Sequence, residues 1–340
     1  MHPERSSATS PAPAEGPARS VPAAELSVEL ARLPVLAVIG PTAAGKSELA
    51  VALAQRLSQT RVVEIVNADS MQLYAGMDIG TAKLPPQERG GIVHHLLDVW
   101  PVTRSAAVAE YQTMARAVIA DVHARGGVPM LVGGSGLYVR AALDHLDFPG
   151  ESPAVRARLN RELGQDGPAV LHARLAELDP AAAAAILASN GRRIVRALEV
   201  IEITGAPFTA RMPGFDAVYD VTQIGVDRAD LDERVDLRVD VMAERGLIDE
   251  VRALSQVGLR GSPTAGKALG YAQILAVLDG SGSVAGDLAE AWAVTKRATR
   301  RFARRQRSWF RRDPRVQWLD GAQPELLSAA MDVLPPRLSR

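Results

Sequence analysis

Eight consecutive residues, Gly40-Pro41-Thr42-Ala43-Ala44-Gly45-Lys46-Ser47, have the types and spacing of a phosphate cradle, G-x-x-x-x-G-K-[ST]. The two glycines let the backbone turn tightly, so that several N–H groups can converge on phosphate oxygens. A helix that follows at once adds its positive N-terminal end. Lys46 supplies a compact cation, and the Ser47 hydroxyl stands where a magnesium ion bridging the phosphates would be ligated. The plainer alternative is a glycine turn beside a surface lysine. ATPases, kinases and some transferases share such a loop, so its neighbours must decide the chemistry.

Three further groups of residues bear on that decision. Asp69 closes an apolar run, Val62 to Val66, through Asn67-Ala68. A carboxylate at that position can ligate magnesium, accept a proton from an attacking group, or merely cap a turn. The segment after it, through Gln72 and on to Gly80-Thr81-Ala82-Lys83, has neither helical nor strand period; a loop so long within a compact domain usually serves function. Between Lys296 and Arg312 the basic residues include Arg304, Arg305 and Arg307, with no acid among them. The absence of acidic partners there favours RNA phosphates over a solvated face, with Ala298, Phe302 and Trp309 at helical spacing as the buried stripe. His94 and His95 lack a third ligand at metal spacing and read as structural.

The elements that must position these groups alternate. Pro34 to Ile39 is wholly apolar, as expected of a buried parallel strand, and Glu48 to Leu57 has helical spacing. Val62–Val66 and Val128–Val132 read as further strands, with a helix from Ala106 to Ala124 between them. The expected fold is α/β, a P-loop NTPase-like parallel sheet flanked by helices. After Pro149-Gly150 the chain reads as consecutive helices, so residues 149–213 form a helical insertion domain between core segments 33–148 and 214–325. A strand returns at Val218 to Val226, helices run to about Arg312, and Pro314 to Leu319 can hold one more strand. Residues 1–32 read as a disordered tail and 326–340 as a flexible one. The chain has 39 basic and 39 acidic residues and no cysteine, which removes disulfides and cysteine-based metal sites but not a local basic patch. With no long apolar run and no secretory signal, the expectation is a cytoplasmic protein with no membrane contact, acting as a monomer.

Taken in order, the motifs resemble those of the tRNA dimethylallyltransferase, or tRNA isopentenyltransferase, family. GPTAAGKS is followed by NADSMQLYAGMDIGTAK, then by HHLLD at residue 94, VGGSGLY at 132 and RRIVRALEV at 192. RVD at 238, GL at 246, ALGY at 268 and RRQ at 304 with Trp309 complete the series, which spans roughly residues 34 to 320.

That resemblance implies transfer of a dimethylallyl group from its diphosphate to the exocyclic amine of the adenine just 3′ of a tRNA anticodon. It makes the phosphate loop the holder of the diphosphate leaving group, with Mg²⁺ at Ser47. It assigns Arg238 to the same charge and Thr42 to a polar contact, although Arg238 alone would read as a solvated helix residue. Asp69 becomes the acceptor of the amine's hydrogen bond or proton. The base must be flipped to reach it. By the same resemblance Asp69, Ser70, Met71, Gln72 and Ser135 contact tRNA. So do Arg156 and Arg192, Arg193 and Arg196 of the insertion, and Lys267, Gly270 and Tyr271 nearer the C-terminus. Arg304 and Arg305 would meet RNA phosphates. Ala272 stands where relatives often carry a basic residue, and Ser135 replaces a commoner threonine. The rival readings are a small-molecule P-loop kinase using ATP and a nucleic-acid-dependent ATPase; the latter needs a strand ending in an acidic pair, and no clear example is present.

Overall fold

A computed structural model describes residues 34–208, 213–281 and 286–339. The expected N-terminal tail, and the centre of the expected closing boundary of the insertion, lie outside the described residues.

The first strand β1 (Val35–Ile39) is buried along its whole length, and α1 (Lys46–Leu57) begins directly after the phosphate loop. β2 (Val63–Asn67) and a two-residue strand β3 (His94–His95) follow, then α2 (Val108–Ala124) and β4 (Val128–Gly133). The short helix α3 (Gly136–Leu143) leads into α4 (Pro153–Leu178), α5 (Pro180–Ala185) and α6 (Gly191–Thr204). The chain returns through β5 (Val221–Asp227), α7 (Leu231–Glu244), α8 (Leu247–Gln256), α9 (Tyr271–Leu278), α10 (Leu288–Phe310) and β6 (Val316–Asp320). Two short helices, α11 (Leu326–Asp332) and α12 (Pro336–Ser339), follow.

The six strands form one sheet in the order β3-β2-β4-β1-β5-β6, all parallel. Apolar clusters cover both faces, which is why the central strands read as continuous apolar runs rather than alternating ones. Parallel strands bring all their carboxyl ends to one edge. There Gly40, Asp69 and Gly133-Gly134 come together, although they are far apart in sequence. Close backbone approach fixes two of the glycines. A Cβ on Gly40 would lie 2.2 Å from the Val226 carbonyl oxygen, and one on Gly133 would lie 2.3 Å from that of Ala68.

Helices α4, α5 and α6 pack on one another around Leu159, Leu171, Leu175, Ile194 and Leu198, a core separate from the two that sandwich the sheet. Ser152 caps α4 and Asn190 caps α6. Within α4 the helix breaks at Gly167, at φ 80°, and Pro168 starts the next segment.

Two expectations need correction. Residues 326–340 are not a flexible tail through their described length: Ala330, Leu334 and Leu338 are buried in the core that also holds α1. Their apolar spacing is helical but short, and only the groove beside α1 gives it a reason to fold. The buried face of α10 is also not Ala298, Phe302 and Trp309, which are only partly covered. It is Ala291, Thr295, Ala303, Gln306 and Phe310, whose small members let α10 lie close against α7. A polar residue belongs to that stripe because a backbone group beneath it needs a partner.

Candidate functional site

The carboxyl edge of the sheet opens into a cleft of about 330 Å³. Thr42, Lys46 and Ser47 line it from the loop and first turn of α1, Asp69 and Gln72 from the end of β2, and Arg234 and Arg238 from α7.

The phosphate loop is shaped by backbone conformations that few residues adopt. Gly40 has φ 142°, Gly45 97° and even Ala43 66°. With no side-chain cap at Gly45, the N–H groups of the first turn of α1 keep their capacity to bind an anion. The Lys46 ammonium donates to the Pro41 carbonyl at 2.7 Å, so the lysine folds over its own loop. Burial first, and the neighbouring Arg238 cation second, push its pKa down to about 8, against an upward pull from Asp69. Arg238 donates a long hydrogen bond, 3.4 Å, to the Thr42 hydroxyl. Burial also lowers the Arg238 pKa, yet an arginine side chain keeps its charge. Two crowded cations therefore lie beside the phosphate loop, an arrangement that can attract a polyanion.

Asp69 stands just after β2, on the wall of the cleft. Its Oδ1 accepts the Met71 N–H at 2.9 Å, the turn-capping contact expected of Asp in a loop. Burial raises its pKa, partly countered by that bond and by Lys46. A carboxylate with a raised pKa, bordering a cleft and electrostatically coupled to Lys46 and Arg238, has the properties of a proton acceptor. Behind it the Ser135 hydroxyl accepts the Ser70 N–H at 3.0 Å and donates to the Ser70 hydroxyl at 3.2 Å. Ser135 thus braces the loop while keeping the hydroxyl that a threonine would offer.

Sequence reasoning missed the residues that hold these groups in place. Gln306 on α10 accepts the Thr42 N–H at 2.9 Å and donates to the Gly134 carbonyl at 2.8 Å, joining two of the loops at the carboxyl edge. Lys83 is nearly buried and bonds Tyr74 O, Asp78 and Asp98. Glu250 on α8 accepts three consecutive backbone N–H groups, those of Asp78, Ile79 and Gly80. A glutamine within an arginine-rich run, and a glutamate on an amphipathic helix, carry no local signal of such distant partners.

The structure separates the expected RNA-facing residues. Arg192 and Lys267 are exposed, as is Arg305, whose guanidinium lies 5.8 Å from the centre of the Phe302 ring. Arg193 is also exposed. Tyr271 is wholly buried beneath segment 78–81, with its hydroxyl donating to Glu250 at 2.5 Å, so it supports the cleft from below. Gly270, also buried, turns the chain at φ 84° to start α9. Arg156 and Arg196 both bond the fully buried Glu199, and Arg196 also donates to the carbonyls of Pro149 and Gly150.

The view of α10 as lacking acidic partners is corrected by its neighbour. Asp232, Asp236 and Asp240 recur every fourth residue on α7 and pair with Arg304, Arg300 and Lys296. Arg307 and Arg311 share Asp227 at the end of β5. The acids are absent from the helix but present across its packing face, where one-dimensional spacing cannot find them. Arg301, Arg305 and Arg312 remain exposed on the outer side.

His94 and His95 sit on the edge strand β3. His95 bonds Glu64 at 2.6 Å, and Arg125 forms a fork with the same carboxylate, so these partners hold the Glu64 pKa down to about 2 against burial. His94 bonds the Ile92 carbonyl and lines the cleft. Among the described residues no group of three His, Asp or Glu side chains could by itself hold a metal ion. The Ser47 hydroxyl together with phosphate oxygens and water suits Mg²⁺, which binds through few protein ligands and keeps several waters.

Comparison with known proteins adds an independent line. Residues 72–313 match the family model described as IPP transferase. A tRNA dimethylallyltransferase of Thermobifida fusca is 65% identical over 299 residues, covering 87% of this chain and 92% of the relative. The crystal structure of a tRNA isopentenylpyrophosphate transferase from Bacillus halodurans is 38% identical and superposes with a TM-score of 0.64, covering 89% of this chain and 94% of that one. A eukaryotic dimethylallyltransferase, solved acting on tRNA, superposes with a TM-score of 0.73 at 25% identity, covering 88% of this chain and 78% of that one.

Proposed function

The chain belongs to the IPP transferase family, and from that premise we propose that its cleft binds dimethylallyl diphosphate and delivers the allylic carbon to an adenine of tRNA. The enzyme is a tRNA prenyltransferase. The adenine is the one 3′ of the anticodon, and the site of action is the cytoplasm; among the described residues no helix is long and apolar enough to cross a membrane.

The observation that carries the reading is that Asp69, Lys46 and Arg238 line one cleft together with the phosphate loop. As the allylic C–O bond breaks, negative charge grows on the diphosphate. The N–H groups of the phosphate loop, Lys46, Arg238 and the Thr42 hydroxyl meet that charge without reorganising. Mg²⁺ at Ser47 would supply further neutralisation of the diphosphate. The adenine amine attacks the opposite side of the allylic carbon. Asp69 accepts a proton from the amine as the C–N bond forms, leaving a neutral secondary amine and free diphosphate. The flipped base leaves its stack, and Asp69 to Gln72 with Ser135 form the surface that receives it. Arg192, Lys267 and Arg305 are the exposed cations that would hold the RNA backbone.

Incubation with dimethylallyl diphosphate, Mg²⁺ and unmodified tRNA tests the proposal. The expected products are diphosphate and prenylated adenine in equal amounts. Turnover of ATP to ADP, with no transfer of the prenyl group, would overturn the proposal.

A further inference from the structure

Glu250 lies on α8, outside the phosphate loop, yet it fixes one wall of the cleft. One of its carboxylate oxygens accepts the backbone N–H groups of Asp78 and Ile79 at 3.1 and 2.7 Å. The other accepts the Gly80 N–H at 3.2 Å and the Tyr271 hydroxyl at 2.5 Å. Three successive N–H groups aimed at one carboxylate form a nest, and ionised acceptors make the stronger hydrogen bonds. The loop and the tyrosine also fit in shape: a Cβ on Gly80 would lie 2.4 Å from the Tyr271 ring. The same segment is fastened further along, where Gln72 donates to the Thr81 carbonyl at 3.1 Å and Lys83 bonds Tyr74 and Asp78.

This segment lines the cleft with the polar residues Asp78, Thr81 and Lys83 and also with apolar ones. Ile79, Ala82, Leu84 and Pro85 line it from one side. Leu237, Val241 and Met242 of α7 line it from another, with Leu237 55% and Val241 37% exposed. The cations and hydroxyls of Thr42, Lys46, Ser47 and Arg238 line the same cleft, with Arg238 between Leu237 and Val241 on α7. A ligand that matches both the cations and the apolar side chains has a polyanionic head and a short hydrocarbon chain.

We propose that Glu250 is a positioning residue that holds segment 78–83 as a wall of the cleft, and thereby limits the length of prenyl chain the enzyme accepts. The inference rests on the donor reading given above. Glu250 touches no reacting atom; it acts through the backbone it holds. Removing the clamp frees the Ile79 and Ala82 wall to retreat, which admits a longer chain.

The test compares kcat/KM for a five-carbon and a ten-carbon allylic diphosphate, with tRNA as acceptor, in the parent, Glu250→Ala and Glu250→Gln. The parent is expected to favour the five-carbon donor. That preference should fall by about tenfold in Glu250→Ala, the scale on which a pocket discriminates added methylenes. Glu250→Gln, whose amide oxygen can keep part of the nest, should fall between the two. Should Glu250→Ala fail to fold, the nearly isosteric Glu250→Gln decides by the same ratio. An unchanged ratio in an active, folded variant overturns the role of Glu250 alone. A parent that transfers neither donor overturns the reading of the cleft, and the proposal with it.

Discussion

Gln306 holds Thr42 across 264 residues of sequence, its amide oxygen accepting the Thr42 N–H at 2.9 Å. The same amide donates to the Gly134 carbonyl at 2.8 Å, so one side chain from α10 ties the phosphate loop to the loop after β4. An arginine-rich helix thus sets the geometry of the phosphate loop as well as carrying charge.

Loss of that link should weaken transfer without unfolding the protein. Gln306→Glu cannot donate to Gly134 and adds a negative charge beside the leaving group. We expect kcat/KM for the donor to fall by about a hundredfold, a loss typical of a disturbed charge-stabilising site. Gln306→Ala, which adds no charge, should fall less. Steady-state kinetics at saturating tRNA measure both, and equal losses would remove the electrostatic part of the argument.

Lys46 destabilises the free protein. Its pKa of about 8 lies below the ordinary 10.5, so between those values the unfolded chain binds more protons than the folded one. Stability therefore rises with pH through that window, and at neutral pH the buried cation is a cost. Lys46→Met should abolish most activity yet raise stability at pH 7 by about 1–3 kcal/mol, a figure set by the size of the shift. Denaturant unfolding at pH 7 and pH 10 checks the sign, because the variant's advantage should shrink at the higher pH.

Asp69 must be ionised to accept a proton, and burial raises its pKa. The single-turnover rate should therefore fall on the acid side with a midpoint above the ordinary aspartate value. Asp69→Ala should keep tRNA binding while its rate drops by about two to four decades, the range for a lost general base. A pH profile that is identical in parent and variant would assign Asp69 to turn capping alone.

The ion-pair ladder between α7 and α10 divides the arginines by role. Replacing Arg301, Arg305 and Arg312 together should weaken tRNA binding and reduce the slope of log K against log salt by about 0.7–0.9 for each RNA phosphate that is no longer neutralised. Replacing Arg300 and Arg304, which pair with Asp236 and Asp232, should act more on thermal stability and less on that slope. Binding titrations at several salt concentrations separate the two groups.

The fold was largely legible in the sequence because buried parallel strands are continuous apolar runs and their connecting helices are amphipathic. The five longer strands lie within a few residues of the expected positions, whereas two-residue β3 is too short to leave a pattern. The phosphate loop and Asp69 were visible because their chemistry is local. Glu250 and Gln306 were not, since each is defined by backbone groups more than 150 residues away. The acidic partners of α10 escaped for the same reason: Asp232, Asp236 and Asp240 become a ladder only when α7 packs beside it. The 326–340 segment looks flexible in sequence because its few apolar residues gain meaning only against α1.

The central claim, that the phosphate loop holds the diphosphate of the donor, is tested most directly by calorimetry. Inorganic diphosphate is titrated, with Mg²⁺, into the parent and Lys46→Met at pH 8 in buffers of different ionisation enthalpy. In the parent a bound anion restores the Lys46 charge, so binding should take up about half a proton more than in the variant, and affinity should be higher. Equal affinity and equal proton uptake in the two proteins would contradict the claim.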